Sequence, residues 1–198
     1  MQHKPVTQNS VSTDDQDIIN LTRHWLEKAV IGLNLCPFAK QVYVKNQLKI
    51  VVSHEVEPEK LAALLQQELT YLQSTPADVT DTTLIVHPQA LLDFYDYNDF
   101  LGVADDLIVN LGLEGSLQIA SFHPDYQFAG TPKDSIDNYT NRSPYPMLHL
   151  LRESSIDRAV KAFPEPEAIY ETNMETLRQL GKKGWDRLMS EQGCQTRL

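Results

Sequence analysis

Cysteine is scarce in this 198-residue chain, which contains only Cys36 and Cys194. Cys194 lies in the polar C-terminal stretch EQGCQTRL, so a framework of structural disulfides is not expected. Reduced thiols are typical of proteins of the cytoplasm. We therefore predict a cytoplasmic protein whose fold depends on its hydrophobic core and not on disulfide bonds.

Basic residues are few, and long apolar runs are missing. The chain has 17 Lys and Arg against 27 Asp and Glu, which gives a formal net charge of -10. Sites for nucleic acid need clustered positive charge, so a nucleic-acid partner is not expected. No segment approaches the roughly 18 apolar residues of a membrane span, and the stretch MQHKPVTQNSVSTDD lacks the apolar region of a secretory signal. We expect neither a nucleic-acid nor a membrane partner.

Several signature motifs of large enzyme classes are also missing. Neither of the glycine-rich phosphate-binding patterns, GxGxxG and GxxxxGK[ST], occurs in the sequence. The nucleophile-elbow pattern GxSxG and the metal-binding patterns CxxC and HExxH are absent as well. These absences argue against a usual dinucleotide-binding fold and against a P-loop NTPase, and they leave the reaction type open.

Hydrophobic patterning predicts a single α/β domain at residues 13–190, between a disordered tail at 1–12 and a flexible tail at 191–198. The stretch TDDQ is typical of a capping box, so a first helix should run from there to about Asn34. Runs rich in Ile and Val alternate with amphipathic stretches of helical period. The predicted strands are 48–54, 82–87 and 117–123, with a further extended stretch at 42–44, and the predicted helices between them are 57–73 and 90–112.

This alternation predicts a small, mostly parallel β-sheet with a β-α-β-α-β core, flanked by N-terminal and C-terminal helices. After the third strand, residues 128–141 form a long polar connection, which we expect to be an ordered loop. Ser143 and Pro144 are expected to start a helix, and a last helix should span about 165–188.

Each predicted strand ends at a histidine, in IVVSHE, LIVHP and IASFHP. In open α/β sheets, ligands bind at the carboxyl ends of parallel strands. We therefore expect His54, His87 and His123 to lie on one ligand-binding edge. The alternative is that proline simply ends the strands and each imidazole caps a backbone carbonyl.

His87 and His123 are the first candidates for catalysis, because imidazole titrates near neutral pH and is the commonest metal ligand. Cys36 together with His87 and His123 would suit a metal such as Zn or Fe. The alternative for Cys36 is a buried structural thiol, since its spacing matches no metal motif.

A second candidate group lies in the stretch NRSPYPMLHLLRE. Arginine offers a rigid fork for carboxylate or phosphate, so we predict an anion-binding set of Asn141, Arg142, Tyr145 and Arg152. If the stretch is helical, Tyr145, His149 and Arg152 share one face, and His149 becomes a candidate acid/base group. The alternative is a solvated surface helix.

Four stretches carry a resemblance to a known family: GLNLCPFAK, LIVHPQALLDFYDYNDFL, QIASFHPDYQFAG and NRSPYPMLHLLRE. Together they resemble a bacterial family of uncharacterised proteins known as domain of unknown function 1415. The resemblance covers about residues 17 to 188 and implies a stand-alone bacterial cytoplasmic protein. The family has no established activity, so the resemblance implies no role for any residue.

Taken together, these patterns predict an enzyme that acts on a small anionic molecule by acid/base or metal-assisted chemistry, of hydrolase or lyase type. The alternatives are a regulatory protein that binds a small ligand in the same pocket without turnover, and a structural protein that docks through its C-terminal helix. The sequence leaves the substrate, the metal and the oligomeric state open.

Overall fold

The computed structural model describes residues 13–161 and 168–190. The tails predicted at 1–12 and 191–198 lie outside these residues. The helices are α1 (Thr13–Trp25), α2 (Ala39–Val44), α3 (Pro58–Ser74), α4 (Phe94–Asn110), α5 (Glu153–Lys161) and α6 (Ala168–Ser190). The strands are β1 (Leu48–Val52), β2 (Thr82–Val86), β3 (Leu117–Phe122) and β4 (Met147–Arg152).

The strands form a four-stranded mixed sheet in the order β1-β2-β4-β3. β1 and β2 are parallel, whereas β4 is antiparallel to both β2 and β3. The prediction of a mostly parallel sheet is therefore wrong, because β4 separates the two strands that α4 connects. β1, β2 and β3 nevertheless run in the same direction, so their carboxyl ends lie on one edge.

The predicted helix beginning at Ser143 is also wrong, because residues 147–152 form β4. The segment MLHLLR contains good helix formers, so its local preference favours a helix. Pairing with β2 on one side and β3 on the other overrides that preference and buries Met147, Leu148 and Leu150. In a strand, side chains alternate between faces, so His149 and Arg152 point to opposite sides of the sheet.

The sheet carries a helical layer on each face. On one face Ile85, Leu148 and Leu150 pack in a core with leucines of α3 and rings of α4. On the other face Leu84 and Met147 pack in a core with residues of α1, α6 and the segment between α1 and α2. We call these the α3/α4 face and the α1/α6 face. No helix within residues 13–161 and 168–190 has the length and apolar character needed to cross a bilayer.

The first and last helices depart from regular α-geometry. α1 continues into a π-helical stretch, Leu26–Ile31, which ends at Gly32. A Cβ at position 32 would collide with the carbonyl oxygen of Lys28, so the close backbone approach requires glycine there. α6 is interrupted at Gly181, whose φ of 65° breaks the single stripe predicted for the last helix.

Two connecting segments complete the framework. Residues 39–44 form α2, so the extended stretch predicted at 42–44 is wrong. The polar connection after β3 contains a short 3-10 helix, Ile136–Thr140, whose Asn138 is fully buried. The side chain of Asn138 accepts from the Phe128 N–H and donates to the Pro132 carbonyl, so hydrogen bonds within this loop connect its two ends.

Candidate functional site

A cavity of about 850 Å³ lies over the α1/α6 face of the sheet. Its floor consists of strand residues from all four strands, and α2, α5 and the π-helical stretch contribute its walls. The floor residues are Leu48, Thr82, Leu84, Ala120, Phe122, His149 and Leu151. The volume is within the range that small-molecule sites in proteins show, and mostly apolar lining with few polar groups is typical of such sites.

His149 stands near the middle of this floor. It pairs with Leu84 on one neighbouring strand and with Ala120 on the other. The ring of Phe122 lies 6.1 Å from the imidazole, between ring centroids. Position 149 was predicted to be an acid/base group on a helix, and the structure places it instead on strand β4, among mostly apolar residues of the cavity floor.

The tautomer of His149 follows from its hydrogen bonds. The hydroxyl of Thr82 donates to the Leu150 carbonyl at 2.6 Å. The same oxygen lies 2.7 Å from Nε2 of His149 and, with its single proton already donated, accepts there. Nε2 therefore carries the proton, and Nδ1 is left as an unprotonated acceptor.

Nδ1 of His149 has no hydrogen-bond partner among the described residues. His24, Thr83, His87 and Arg152 also have side-chain atoms without a partner, but those atoms are fully enclosed by protein. Nδ1 of His149 is not fully enclosed. Nδ1 is therefore open to the cavity. Burial lowers the pKa of His149 to about 4, so the imidazole is neutral at pH 7.

Charged groups surround the outer part of the cavity. Ser155 donates to Asp81 at 2.6 Å, and the Arg158 guanidinium donates to the Ser155 hydroxyl at 2.9 Å. Lys45 and Asp78 also line the cavity. Asp81 is 9% exposed, whereas Arg158 is an exposed residue, so this group connects the interior of the cavity to its mouth.

Cys36 lines the same cavity, beside Pro37 and Phe38. Burial raises the pKa of its thiol, although the N–H groups of Phe38 and Ala39 oppose the shift. The uncharged thiol is a weak nucleophile and a poor metal ligand. The structure therefore favours the structural alternative for Cys36, as part of an apolar wall.

His87 and His123 lie together at the predicted edge, on the α3/α4 face. The ring of Tyr97 stands between them, 5.9 Å from His87 and 5.0 Å from His123, between ring centroids. Its hydroxyl donates to the Met147 carbonyl at 2.7 Å and accepts from the Phe122 N–H at 3.0 Å. This cluster joins the ends of β2 and β3 to the start of β4.

Both imidazoles are closed to solvent, with exposed fractions of 0% for His87 and 1% for His123. Nε2 of His123 donates to the Leu91 carbonyl, and its Nδ1 accepts from the Asp125 N–H. Nδ1 of His87 donates to the Ala90 carbonyl. Burial lowers the pKa of both, that of His87 to about 4. These contacts agree with the carbonyl-capping alternative for the two strand ends.

His54 follows β1 at the same edge but makes a different contact. Its Nε2 lies 2.5 Å from a carboxylate oxygen of Asp15 at the start of α1. The ring has no contact with the other two histidines, because it lies on the surface between α1 and the end of β1. The edge therefore holds one buried histidine pair and one surface histidine in contact with a carboxylate.

The four residues predicted to bind an anion do not converge on one ligand site. Asn141 donates to the Ser121 carbonyl, and Arg142 donates to the carbonyls of Tyr126 and Lys133. Tyr145 packs against the α1/α6 core, where burial raises its pKa. These contacts fix the loop before β4 to the end of β3.

Arg152 holds the end of α3 in place. A single terminal nitrogen of its guanidinium approaches the carbonyl oxygens of Leu72, Thr75 and Thr80 at 2.5, 2.5 and 3.1 Å. The last carbonyls of a helix lack partners within the helix, so this contact stabilises the C-terminal end of α3. Arg152 also lines the cavity, and its Nε is enclosed without a hydrogen-bond partner among the described residues.

The predicted metal site is not assembled. Cys36 lies on the α1/α6 face, and His87 and His123 lie on the other face, so the sheet separates the thiol from the imidazoles. Within residues 13–161 and 168–190, no group of three or more His, Cys, Asp or Glu is arranged to hold a metal ion. This part of the chain therefore gives no support for bound Zn or Fe.

Comparison with known protein families agrees with the resemblance noted in the sequence. The model of the family described as Protein of unknown function (DUF1415) matches residues 17–187. The chain belongs to this family. No curated protein and no solved structure matches it. The matched region of this DUF1415 chain includes both the cavity and the buried histidine pair.

No pattern in the sequence indicated directly that Asp81, Ser155 and Arg158 form a polar group at the cavity of this DUF1415 protein. Ser155 and Arg158 lie on α5, whereas their partner group Asp81 lies just before β2, far away in the sequence. Ala120 was predicted to lie in a strand, with no indication that it borders a cavity. The one available signal was the spacing of three between Ser155 and Arg158, which puts both on one side of a helix.

Proposed function

We propose that this protein is an enzyme that binds a small molecule in the cavity over the α1/α6 face and transfers a proton through His149. The observation that carries the proposal is the open Nδ1 atom of a tautomer-fixed imidazole on the floor of the cavity. A base needs to be unprotonated and within reach of its substrate, and His149 meets both conditions at neutral pH. The edge at His87 and His123 is not part of this proposal.

The charges around the cavity support a substrate with an anionic end. The lining includes Lys45 and Arg158 as well as Asp78 and Asp81, in a chain whose formal net charge is -10. Arg158 is free of ion pairs within the described part of the chain and lies toward solvent. It would hold a carboxylate or phosphate at the mouth, while the apolar body of the substrate contacts the floor.

A second function, ligand binding without turnover, is favoured by one observation. Burial lowers the pKa of His149 to about 4, and a base of such low pKa is weak. In that case His149 serves as a hydrogen-bond acceptor that selects the ligand. For either function we propose a cytoplasmic location, a small-molecule partner and no nucleic-acid or membrane partner, in line with the acidic composition.

Replacement of His149 by glutamine should separate the two functions. A library of small organic acids, phenols and amides is first screened by NMR, with bound compounds recognised by shifts of the Leu84 and Ala120 amide signals. Each binder is then incubated with protein, and product signals are followed. If the protein is an enzyme, H149Q is expected to reduce turnover by about 100-fold, the usual contribution of an acid/base residue, with little change in affinity.

The matched control is His54→Gln, which changes an exposed imidazole at the other end of β1 and should leave turnover unchanged. Equal turnover by H149Q and the wild type would rule out His149 as the base. Binding without any product would favour the second function. If the shifts gather around His87 and His123 and not around the cavity floor, the proposed site itself is wrong.

A further inference from the structure

We infer that the ligand places a neutral hydrogen-bond donor, carried on a flat apolar ring, against Nδ1 of His149. The group would be a phenol O–H or the N–H of a heteroaromatic ring. This inference rests on the proposed function, because it names the class of molecule that the same cavity holds. The donor group would contact the floor of the cavity, and the charged end of the ligand would lie at the mouth.

The hydrogen-bonding capacity of the floor supports a donor on the ligand. The Thr82 hydroxyl has no proton left to donate to a ligand, since it donates to the Leu150 carbonyl and accepts from Nε2 of His149. The side chains around them on the floor are apolar: Leu48, Leu84, Ala120, Phe122 and Leu151. The floor therefore offers a ligand acceptors and no side-chain donor, and its unpartnered side-chain nitrogen is Nδ1 of His149.

The same arrangement disfavours an anion at the floor. A carboxylate would set its lone pairs against the lone pair of Nδ1 and would lose its hydration in an apolar setting, which costs free energy. The groups that suit an anion, Lys45 and Arg158, are exposed residues farther toward solvent. We therefore expect the charged group of the ligand at the mouth of the cavity and its neutral hydrogen-bond donor at the floor.

The shape of the floor supports a ring. Ala120 lies directly beside His149, as its partner in the pairing of β3 with β4. The small methyl side chain of Ala120 leaves space on the floor next to the imidazole. Phe122 borders this space, and Trp25 supports its ring edge-on at 5.3 Å between ring centroids. Aromatic rings pack favourably edge-to-face or offset against such a fixed ring.

Three probes of similar size test the inference: phenol, toluene and benzoate. Their dissociation constants are measured by NMR titration of the full-length wild type and of the variant His149→Phe. In the wild type, phenol should bind about fivefold more tightly than toluene, as one added hydrogen bond predicts, and benzoate more weakly than phenol. In H149F the advantage of phenol over toluene should disappear, with toluene binding retained.

The outcomes separate this inference from the proposed function. If no probe shifts the signals of the cavity floor, the cavity is not a ligand site and both proposals fail. If toluene and phenol bind the wild type equally, or benzoate binds best, the donor inference fails and the cavity remains a ligand site. A second readout needs no variant: phenol, but not toluene, should shift the Nδ1 resonance of His149 in the wild type.

Discussion

Acidification from pH 7 to pH 5 is expected to reduce the free energy of unfolding by about 2 kcal/mol for each of His87 and His149. Burial lowers the pKa of both imidazoles to about 4 from an ordinary value near 6.5. Between these values the unfolded chain binds more protons than the folded chain. The stabilising effect of the neutral imidazoles is therefore complete above about pH 6.5 and is lost as the pH falls toward 4.

Urea denaturation followed by circular dichroism at pH 7, 6 and 5 measures this effect. The variant His149→Gln is expected to lose the part of the pH effect that His149 contributes, about 2 kcal/mol between pH 7 and pH 5, because glutamine does not titrate. His54→Gln is the matched control, since its imidazole is exposed and paired with Asp15. A wild-type stability that is constant from pH 7 to pH 5 would show that neither buried imidazole resists protonation.

Filling the cavity floor is expected to have the largest effect on ligand binding. In Ala120→Trp, the indole would occupy the space beside His149 that a bound ring needs. Binding of any cavity ligand should weaken by about 100-fold, because relieving such a clash costs up to about 3 kcal/mol. NMR titration with phenol, or with any compound found by screening, measures the change.

Gln118→Trp is the control for this substitution. Gln118 lies two residues earlier on β3 and its side chain points to the same face of the sheet, but it is exposed and does not line the cavity. Its replacement should leave affinity unchanged. If A120W is folded and binds phenol as well as the wild type does, the ligand occupies another part of the protein.

Local patterns were sufficient for the three strands that run in the same direction and for the helices between them. β2 is buried along its whole length, and buried strands tend to contain apolar runs, here LIV after two threonines. His87 and His123 were correctly expected at one edge, because each directly follows a strand of the same direction. Their burial could not be foreseen, since it depends on Tyr97 of α4 packing between them.

β4 and the cavity depend on contacts that are distant in the chain. The apolar segment around His149 is compatible with a helix or a strand, and pairing with both β2 and β3 decides between them. Once the segment is a strand, the side chain of His149 becomes part of the cavity floor and that of Arg152 points toward α3 on the opposite face. The cavity walls then come from α2 and α5, which no local pattern relates to each other. Sequence therefore identified His149 as a candidate but not its surroundings.

The most direct test of this account is the protonation state of His149, measured by long-range ¹H–¹⁵N NMR of its ring nitrogens at pH 7. The account predicts a neutral imidazole with the proton on Nε2, an unprotonated Nδ1 and no titration down to about pH 5. Addition of a cavity ligand should move the Nδ1 resonance first. A charged ring at pH 7, or a proton on Nδ1, would contradict it, because Nδ1 would then have no lone pair to offer the cavity.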